Sequence, residues 1–447
     1  MLSEEDNAIL CQVGPGTPMG ELMRLYWVPV AATSELGFDA TSPMRIRLLG
    51  ENLVAYRLKD GEVSLIQDAC PHRGASFCLG RNEGDGIRCV YHGWKFDKAG
   101  NCTDMPSEPV DSNFKNKVKA RAYPCLERGG LIWTFMGKQE ILPPLPDIEA
   151  NAAADANVTQ QMLRECNYMQ ALEGDIDTLH FAFLHTGHLQ PGDAALDGNM
   201  LDIQINHRDA ELDVRETEFG TLYGARRPAG QGMDYWRIAG FMFPFYTLIP
   251  PSTLAANRWT RAWVPMDDDH TMFFHMMAPA LGNTESNPEA ANIDMRFDKG
   301  QEKMPDEPWN FFGRARSLYS QRDGWGINRD LIDQRASFTG LPGVHLEDQA
   351  VTESMGGIVD RTQEHLGTSD KMIIQTRMRL IKAAKALRDE GIVPPGVTNP
   401  EIYRQRSGGI LLPAGVDWFE ASAPYRKAFV DHSAETIKQT LGHTIAR

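Results

Sequence analysis

Two short segments carry the chemistry that is easiest to read: Cys70-Pro71-His72-Arg73-Gly74 and Cys89-Val90-Tyr91-His92-Gly93-Trp94. Each pairs one thiolate donor with one imidazole donor, and sixteen residues lie between His72 and Cys89. Two sulfurs and two nitrogens in mixed pairs suit a [2Fe–2S] cluster in which histidines replace two cysteines on one iron. Neutral imidazole leaves that iron less negative, which raises its reduction potential. A Cys2His2 zinc site is the alternative, but zinc sites group like ligands as Cys-x2–4-Cys and His-x3–5-His. Gly74 and Gly93 follow the ligands closely, as tight loops around a cluster require.

A second constellation lies about ninety residues on: Asp177-Thr178-Leu179-His180, then Phe181-Ala182-Phe183-Leu184-His185. Two histidines and a carboxylate in nine residues suggest two legs of a 2-His-1-carboxylate triad. Such a triad holds Fe(II) on one face and leaves positions open for oxygen and substrate. The five-residue spacing is not that of one helix face, so a bulge or helix end must bring both rings to one metal. A helix whose apolar face happens to carry histidines is the plainer reading. An electron store upstream makes the metal reading the stronger of the two.

With both motifs in place, the chain resembles the oxygenase component of Rieske non-heme iron oxygenases. The likeness is greatest to the phthalate dioxygenase branch, which includes aryl O-demethylases. The segments that carry it run nearly end to end. They are Val13–Gly20, Tyr26-Trp27-Val28-Pro29, Gly93–Asp97, Asn167-x-x-Gln170 through His185, Glu347–Ser354 and Asp360–Gly367. The resemblance implies that Cys70 and Cys89 hold one cluster iron and His72 and His92 the other. It implies His180 and His185 as ligands of a mononuclear Fe(II). It gives Asp348 as the third ligand, with Glu347 and Asp360 as competing carboxylates. Asp177 matches the aspartate that joins a cluster histidine of one subunit to an iron-ligand histidine of its neighbour. Tyr168 stands where the family usually has tryptophan.

The resemblance also implies the partners: O2, an aromatic and carboxylate-bearing substrate, electrons from NAD(P)H through a separate reductase, and a homotrimer or hexamer. Hydroxylation of the ring is the leading expectation and oxidative O-demethylation of a methoxylated aromatic acid the second. A Rieske electron-transfer protein is the alternative of another class. Residues 156–447 argue against it, because a carrier needs no second iron site.

The elements that must position these residues give an α+β expectation. Residues 1–40 read as a helical segment and 41–150 as a Rieske β domain, with strands at 44–49, 53–57 and 130–135. The Pro143–Pro146 stretch reads as the exit linker. Residues 156–447 read as a catalytic domain with an antiparallel sheet flanked by helices. Strands are expected at 212–215, 235–238 and 271–275, with helices near 170–186 and 369–389.

Arg226, Arg227, Arg237, Arg258 and Arg261 lie on the expected sheet. An arginine facing a pocket could hold a carboxylate in bidentate fashion. Surface pairing is the commoner fate of any one of them. The aromatic run Phe241–Tyr246 could wall the pocket or fill a core. Asn206 and His207 are further pocket candidates, while His275 and His365 read as structural.

Composition agrees with a globular enzyme. The chain has 447 residues, 42% hydrophobic and 23% charged, with room for two or three domains. A net charge of −15 argues against nucleic acid and anionic membrane partners. No apolar run is long enough to span a bilayer, and the acidic start Met1–Asp6 lacks the basic region of a signal peptide, so a cytoplasmic setting is expected. Gly14-Pro15-Gly16 lacks the dinucleotide-binding spacing, so the nicotinamide must bind elsewhere. Beyond the cluster pair, Cys11, Cys78, Cys102, Cys125 and Cys166 are expected as reduced thiols.

Overall fold

The computed structural model describes residues 1–37, 42–138, 141–185, 188, 200–250, 253–279, 281 and 300–440. Helices Glu4–Cys11 and Pro18–Met23 open the chain, each with a hydroxyl cap, Ser3 and Thr17. The first forty residues also contain the strand Trp27–Ala32, which pairs antiparallel with Leu131–Phe135.

Three small antiparallel sheets follow. Trp27–Ala32, Leu131–Phe135 and Cys125–Arg128 form one. Met44–Leu48, Glu51–Arg57, Val63–Gln67 and Ala122–Tyr123 form another. The third is built of short strands, Arg81–Asn82, Ile87–Arg88, Lys95–Phe96 and Cys102–Asp104. Val54, Tyr56, Ile66, Phe77, Ile87, Trp94 and Phe96 form their own core, which includes Cys70 and Cys89. Alternating apolar residues in short strands thus carry the two Cys/His loops on a compact β scaffold.

The second region is built on an eight-stranded sheet. Its strands in chain order are β1 (Asn157–Arg164), β2 (Glu211–Glu216), β3 (Gly220–Gly230), β4 (Met233–Met242), β5 (Tyr246–Leu248), β6 (Trp259–Pro265), β7 (Thr271–Met277) and β8 (Gly408–Pro413). The spatial order is β1-β7-β6-β5-β4-β3-β2, with β8 pairing β4 beside the short β5. Every pairing is antiparallel. The helices that matter here are α1 (Tyr168–Ile176), α2 (Phe181–Leu184), α3 (Val344–Ser354) and α4 (Lys371–Glu390). The α+β architecture is therefore as expected.

Besides the strand Trp27–Ala32 in a segment expected to be helical, a second element differs from expectation. The helix expected over 170–186 is two helices, α1 and the single turn α2. Asp177 leaves helical geometry (φ −80°, ψ 104°), and its Oδ1 accepts the Leu179 N–H at 2.9 Å. An Asx turn of this kind offers the backbone an alternative to the helical ladder.

Cross-strand partners share a face. By register, Arg227, Arg237, Arg261 and His275 therefore lie on one face of the sheet. Arg261 and the Trp263 indole on that face donate to Asp175 of α1, and Arg237 donates to Thr178 just beyond it. That face is thus covered by α1 and the turn that follows.

Candidate metal centres

The two Cys/His loops are near copies of one another. Gly74 N–H donates to the Cys70 carbonyl at 2.9 Å, and Gly93 N–H to the Cys89 carbonyl at 3.1 Å. Both glycines have positive φ (78° and 76°), which a side chain would strain. Cys70 and Cys89 are buried, while His72 and His92 sit nearer the surface. The two imidazoles are 4.4 Å apart at 74°. Trp94 stacks on His72 at 4.3 Å and 15°, and its indole N–H is held by Ser107 at 3.0 Å. Around them the loop tips are apolar and exposed: Leu79, Val90, Tyr91 and Phe114 all face solvent.

The donor set fits a [2Fe–2S] group. Burial pushes the Cys70 thiol up to about 12, so its thiolate needs a cation against it. His92 Nδ1 is buried and has no hydrogen-bond partner among the described residues. Cys78, between the loops, is half-buried and its backbone N–H is held by Asp68.

The second site is built from α1, α2 and α3. Asn167 caps α1 through its side-chain oxygen, and its amide donates to Cys11 and Asp268 carbonyls at 2.9 and 2.7 Å. Gln170 donates to the carbonyls of Thr352 and Gly356 at the end of α3, at 3.2 and 2.9 Å, and accepts from Val359 N–H at 2.7 Å. Glu173 is gripped by Arg361 and Arg377. Gln170 thereby ties α1 to the end of α3, and Arg361 ties it to the segment beyond, with the histidines lying over Asp348.

There, His180 Nε2 and His185 Nε2 lie 3.4 and 3.2 Å from Asp348 Oδ1. The three donor atoms fall within 4.8 Å of one another. His185 is buried, whereas His180 and Asp348 are half-buried, so the triangle has one open side. Burial alone would raise the Asp348 carboxyl, but His185 and His180 hold it well below the usual carboxylate range. Burial alone would lower His185, but Asp348 and Glu347 raise it to about 9. A cation between the rings and the carboxylate takes the place of that proton, so the set fits a divalent metal.

The competing carboxylates are elsewhere. Glu347 Oε2 meets His185 Nδ1 at 2.6 Å, on the far side of the ring from Asp348. Asp360 is exposed and caps its own turn by accepting from Thr362. Asp177 Oδ2 is 3.9 Å from His180 Nδ1.

A model of the Rieske [2Fe-2S] domain matches residues 26–121, and a model described as LigXa C-terminal domain like matches 134–441. The chain is 42% identical to the 3-chlorobenzoate-3,4-dioxygenase oxygenase subunit of Comamonas testosteroni, covering 94% of this chain and 97% of that one. The chain belongs to the Rieske oxygenases. It is also 36% identical to the phthalate 4,5-dioxygenase oxygenase subunit of Pseudomonas putida, over 96% of this chain and 97% of that one. It is 32% identical to the 5,5'-dehydrodivanillate O-demethylase oxygenase subunit of a Sphingobium species, over 86% and 80%. Dicamba monooxygenase bound to dicamba has a similar fold, with TM-score 0.56 and 18% identity over 82% of this chain and 98% of that one. Like other Rieske oxygenases, this one uses a [2Fe–2S] cluster and a mononuclear non-heme iron, with electrons from a separate reductase. Among the described residues no helix is long and apolar enough to cross a membrane.

The candidate arginines of this Rieske oxygenase separate cleanly. Arg226 pairs with Glu211 and Asp234, Arg258 with Asp155, and Arg261 with Asp175. Arg237 spends one nitrogen on Thr178 at 2.6 Å and lies over the Phe181 ring. Arg227 is fully buried, with only Nε engaged, to the His207 carbonyl at 2.7 Å. Among the described residues neither of its terminal nitrogens has a partner. Asn206 and the His207 ring are exposed, and Phe241–Tyr246 belongs to the main core. His275 is buried against Trp259, and His365 is exposed.

Sequence reasoning missed Thr178, His345 and the backing role of Glu347. His345 is held neutral, its pKa lowered to about 3 by burial and by Arg261. Its position one helical turn before Asp348 was the only signal that could have found it.

Proposed function

We propose that this oxygenase subunit hydroxylates a carboxylate-bearing aromatic compound at an Fe(II) held by His180, His185 and Asp348. Cys70, His72, Cys89 and His92 hold the cluster in this reading. Residues 41–150 then form the cluster domain, 156–447 the catalytic domain, and 1–40 the segment packed beside them. The observation that carries the reading is the donor triangle of two imidazoles and one carboxylate with an open side. Bound there, the two groups supply single electrons and a centre for activating O2.

The chain's own residues do the rest. Asp348 would supply the negative charge, and His180 and His185 the neutral nitrogens, that hold a divalent cation there. Phe181 and Arg237 stand beside the triangle, with the Phe181 ring 5.7 Å from His185. Arg227 offers two unpaired terminal nitrogens on the same sheet face as Arg237, a bidentate match for an aromatic carboxylate. Burial lowers this guanidinium only to about 10, so it keeps its charge at neutral pH. The buried wall of Tyr223 and Tyr235 excludes water around it.

Asp177 serves as the bridge between subunits. Its Oδ1 is committed to the turn, while the side chain is part-exposed and Oδ2 is left to accept from a cluster histidine of a neighbour. The exposed tips at Val90, Tyr91 and Leu79 suit burial against that neighbour in a homotrimer or a hexamer of two trimers. A cytoplasmic setting, with a reductase and NAD(P)H at hand, suits the reading.

O-Demethylation is the second reading, favoured by the 32% identity to an O-demethylase subunit over 86% of this chain. Incubation with a reductase, NADH and a panel of benzoates, phthalates and methoxybenzoates tests both. A ring-hydroxylated acid supports the first. A phenol with stoichiometric formaldehyde supports the second. Substrate-independent NADH oxidation across the panel counts against both.

A further inference from the structure

Glu347 and Asp348 are consecutive on α3, yet they meet opposite nitrogens of one ring. Asp348 Oδ1 lies 3.2 Å from His185 Nε2, and Glu347 Oε2 lies 2.6 Å from His185 Nδ1. The side chains of His185 and Glu347 are 1% and 0% exposed, so no water competes for this contact. Successive helical residues project roughly 100° apart, which lets α3 place one carboxylate at each edge of an imidazole lying beside it.

The second oxygen of Glu347 is also occupied. Thr339 donates its hydroxyl to Oε1, and His188 Nε2 lies 3.5 Å away. Glu347 therefore has no free oxygen turned toward the His180–His185–Asp348 triangle. The two histidines are held differently. His180 Nδ1 has no hydrogen-bond partner among the described residues.

We propose that Glu347 is a positioning residue for the mononuclear site. It accepts the His185 Nδ1–H, fixes the tautomer whose Nε2 lone pair faces the triangle, and sets the angle of the ring. Thr339 in turn fixes Glu347. This inference rests on the assignment of His180, His185 and Asp348 as iron ligands. A buried carboxylate behind a ligating imidazole strengthens the metal–nitrogen bond, and its loss costs roughly 10–100-fold in affinity or activity.

The test uses the full chain carrying Glu347→Gln, Thr339→Val or Asp348→Ala. Glutamine keeps the size but offers one acceptor oxygen to two donors, the His185 N–H and the Thr339 hydroxyl. Fe(II) release to a chelator is timed, the cluster's visible absorbance reports folding, and the Co(II)-loaded protein reports ligand geometry. Expected are Fe(II) release about 10–100-fold faster in Glu347→Gln, a smaller rise in Thr339→Val, altered Co(II) bands and an unchanged cluster spectrum. Parent-like release and Co(II) bands in Glu347→Gln, with metal lost from Asp348→Ala, would overturn the inference and leave the ligand assignment standing. Metal retained by Asp348→Ala overturns that assignment as well. If Glu347→Gln loses the cluster spectrum, Thr339→Val decides, since faster release supports the inference and unchanged release removes it.

Discussion

His180 and His185 are five residues apart, yet their rings meet at 5.2 Å and 81° with both Nε2 atoms turned to one carboxylate. In an unbroken helix that spacing would set them about 140° apart. The break at Asp177 and the single turn of α2, with His180 before it and His185 after it, bring them together. Replacing His180 or Asp348 by Ala is expected to empty the mononuclear site and lower turnover by at least about 100-fold, the upper end for loss of a supporting contact. Metal analysis and visible spectroscopy check this: one iron lost, cluster absorbance kept.

Asp177 should separate electron delivery from metal binding. Asp177→Asn keeps its turn-forming oxygen but loses the charge that can accept an N–H on each side. Both iron sites are expected to fill, while product formation falls by roughly 10–100-fold. Mixed oligomers of Asp177→Asn and Cys70→Ser chains should recover part of that activity if the electron crosses between subunits. No recovery in verified mixed oligomers would mean transfer within one chain.

Arg227 should govern affinity for the substrate's carboxylate. Arg227→Met retains much of the buried stem and removes both free donors. The apparent affinity for a carboxylated substrate should weaken by about 1.5–3 kcal/mol, roughly 10- to 150-fold. The matching carboxamide should be nearly unaffected. Steady-state KM for acid and amide, compared in the two proteins, checks this.

The Glu173–Arg361–Arg377 cluster should matter to stability rather than chemistry. Burial alone would raise the Glu173 carboxyl, but the Coulombic pull of Arg361 and the hydrogen bond from Arg377 lower it overall. A carboxyl lowered in the folded state adds stability above its unfolded value of about 4.3, and loses it as the pH falls through the folded value. Glu173→Gln, which leaves two buried cations short of a partner, should therefore destabilise by about 3–5 kcal/mol near pH 7. The deficit should begin to shrink below about pH 4.3, where the unfolded chain takes up its proton, and go on shrinking as the pH falls toward the lower folded value. Urea unfolding at several pH values checks both the size and the sign.

Much of the candidate cluster site was legible because its four Cys and His residues are local. Cys70 with His72 and Cys89 with His92 sit in two loops whose glycines announce their turns, and the structure brings the two loops together. The histidine pair was legible by residue type, but its geometry was not. The apolar residues after Asp177 continue a helical period, and only the Asx turn shows where the helix stops. Asp348 was reached through resemblance, with Glu347 left beside it, because a sequence cannot say which of two adjacent helical carboxylates faces a given ring. The arginines posed a similar problem. Arg226 and Arg227 are neighbours on one strand, and strand alternation sends one to Glu211 and Asp234 and buries the other. The Asn167 and Gln170 contacts were invisible because their partners, Cys11, Asp268, Thr352 and Gly356, are 101 to 186 residues away.

The most direct measurement is turnover of the purified protein with a reductase, NADH and a carboxylated aromatic panel under isotopically labelled O2, read by mass spectrometry. Label in the organic product or released formaldehyde, abolished by Asp348→Ala with the cluster spectrum intact, is the predicted result. A protein with both iron sites filled that puts no labelled oxygen into any panel compound or its products would contradict the assignment of aromatic oxygenation to this site.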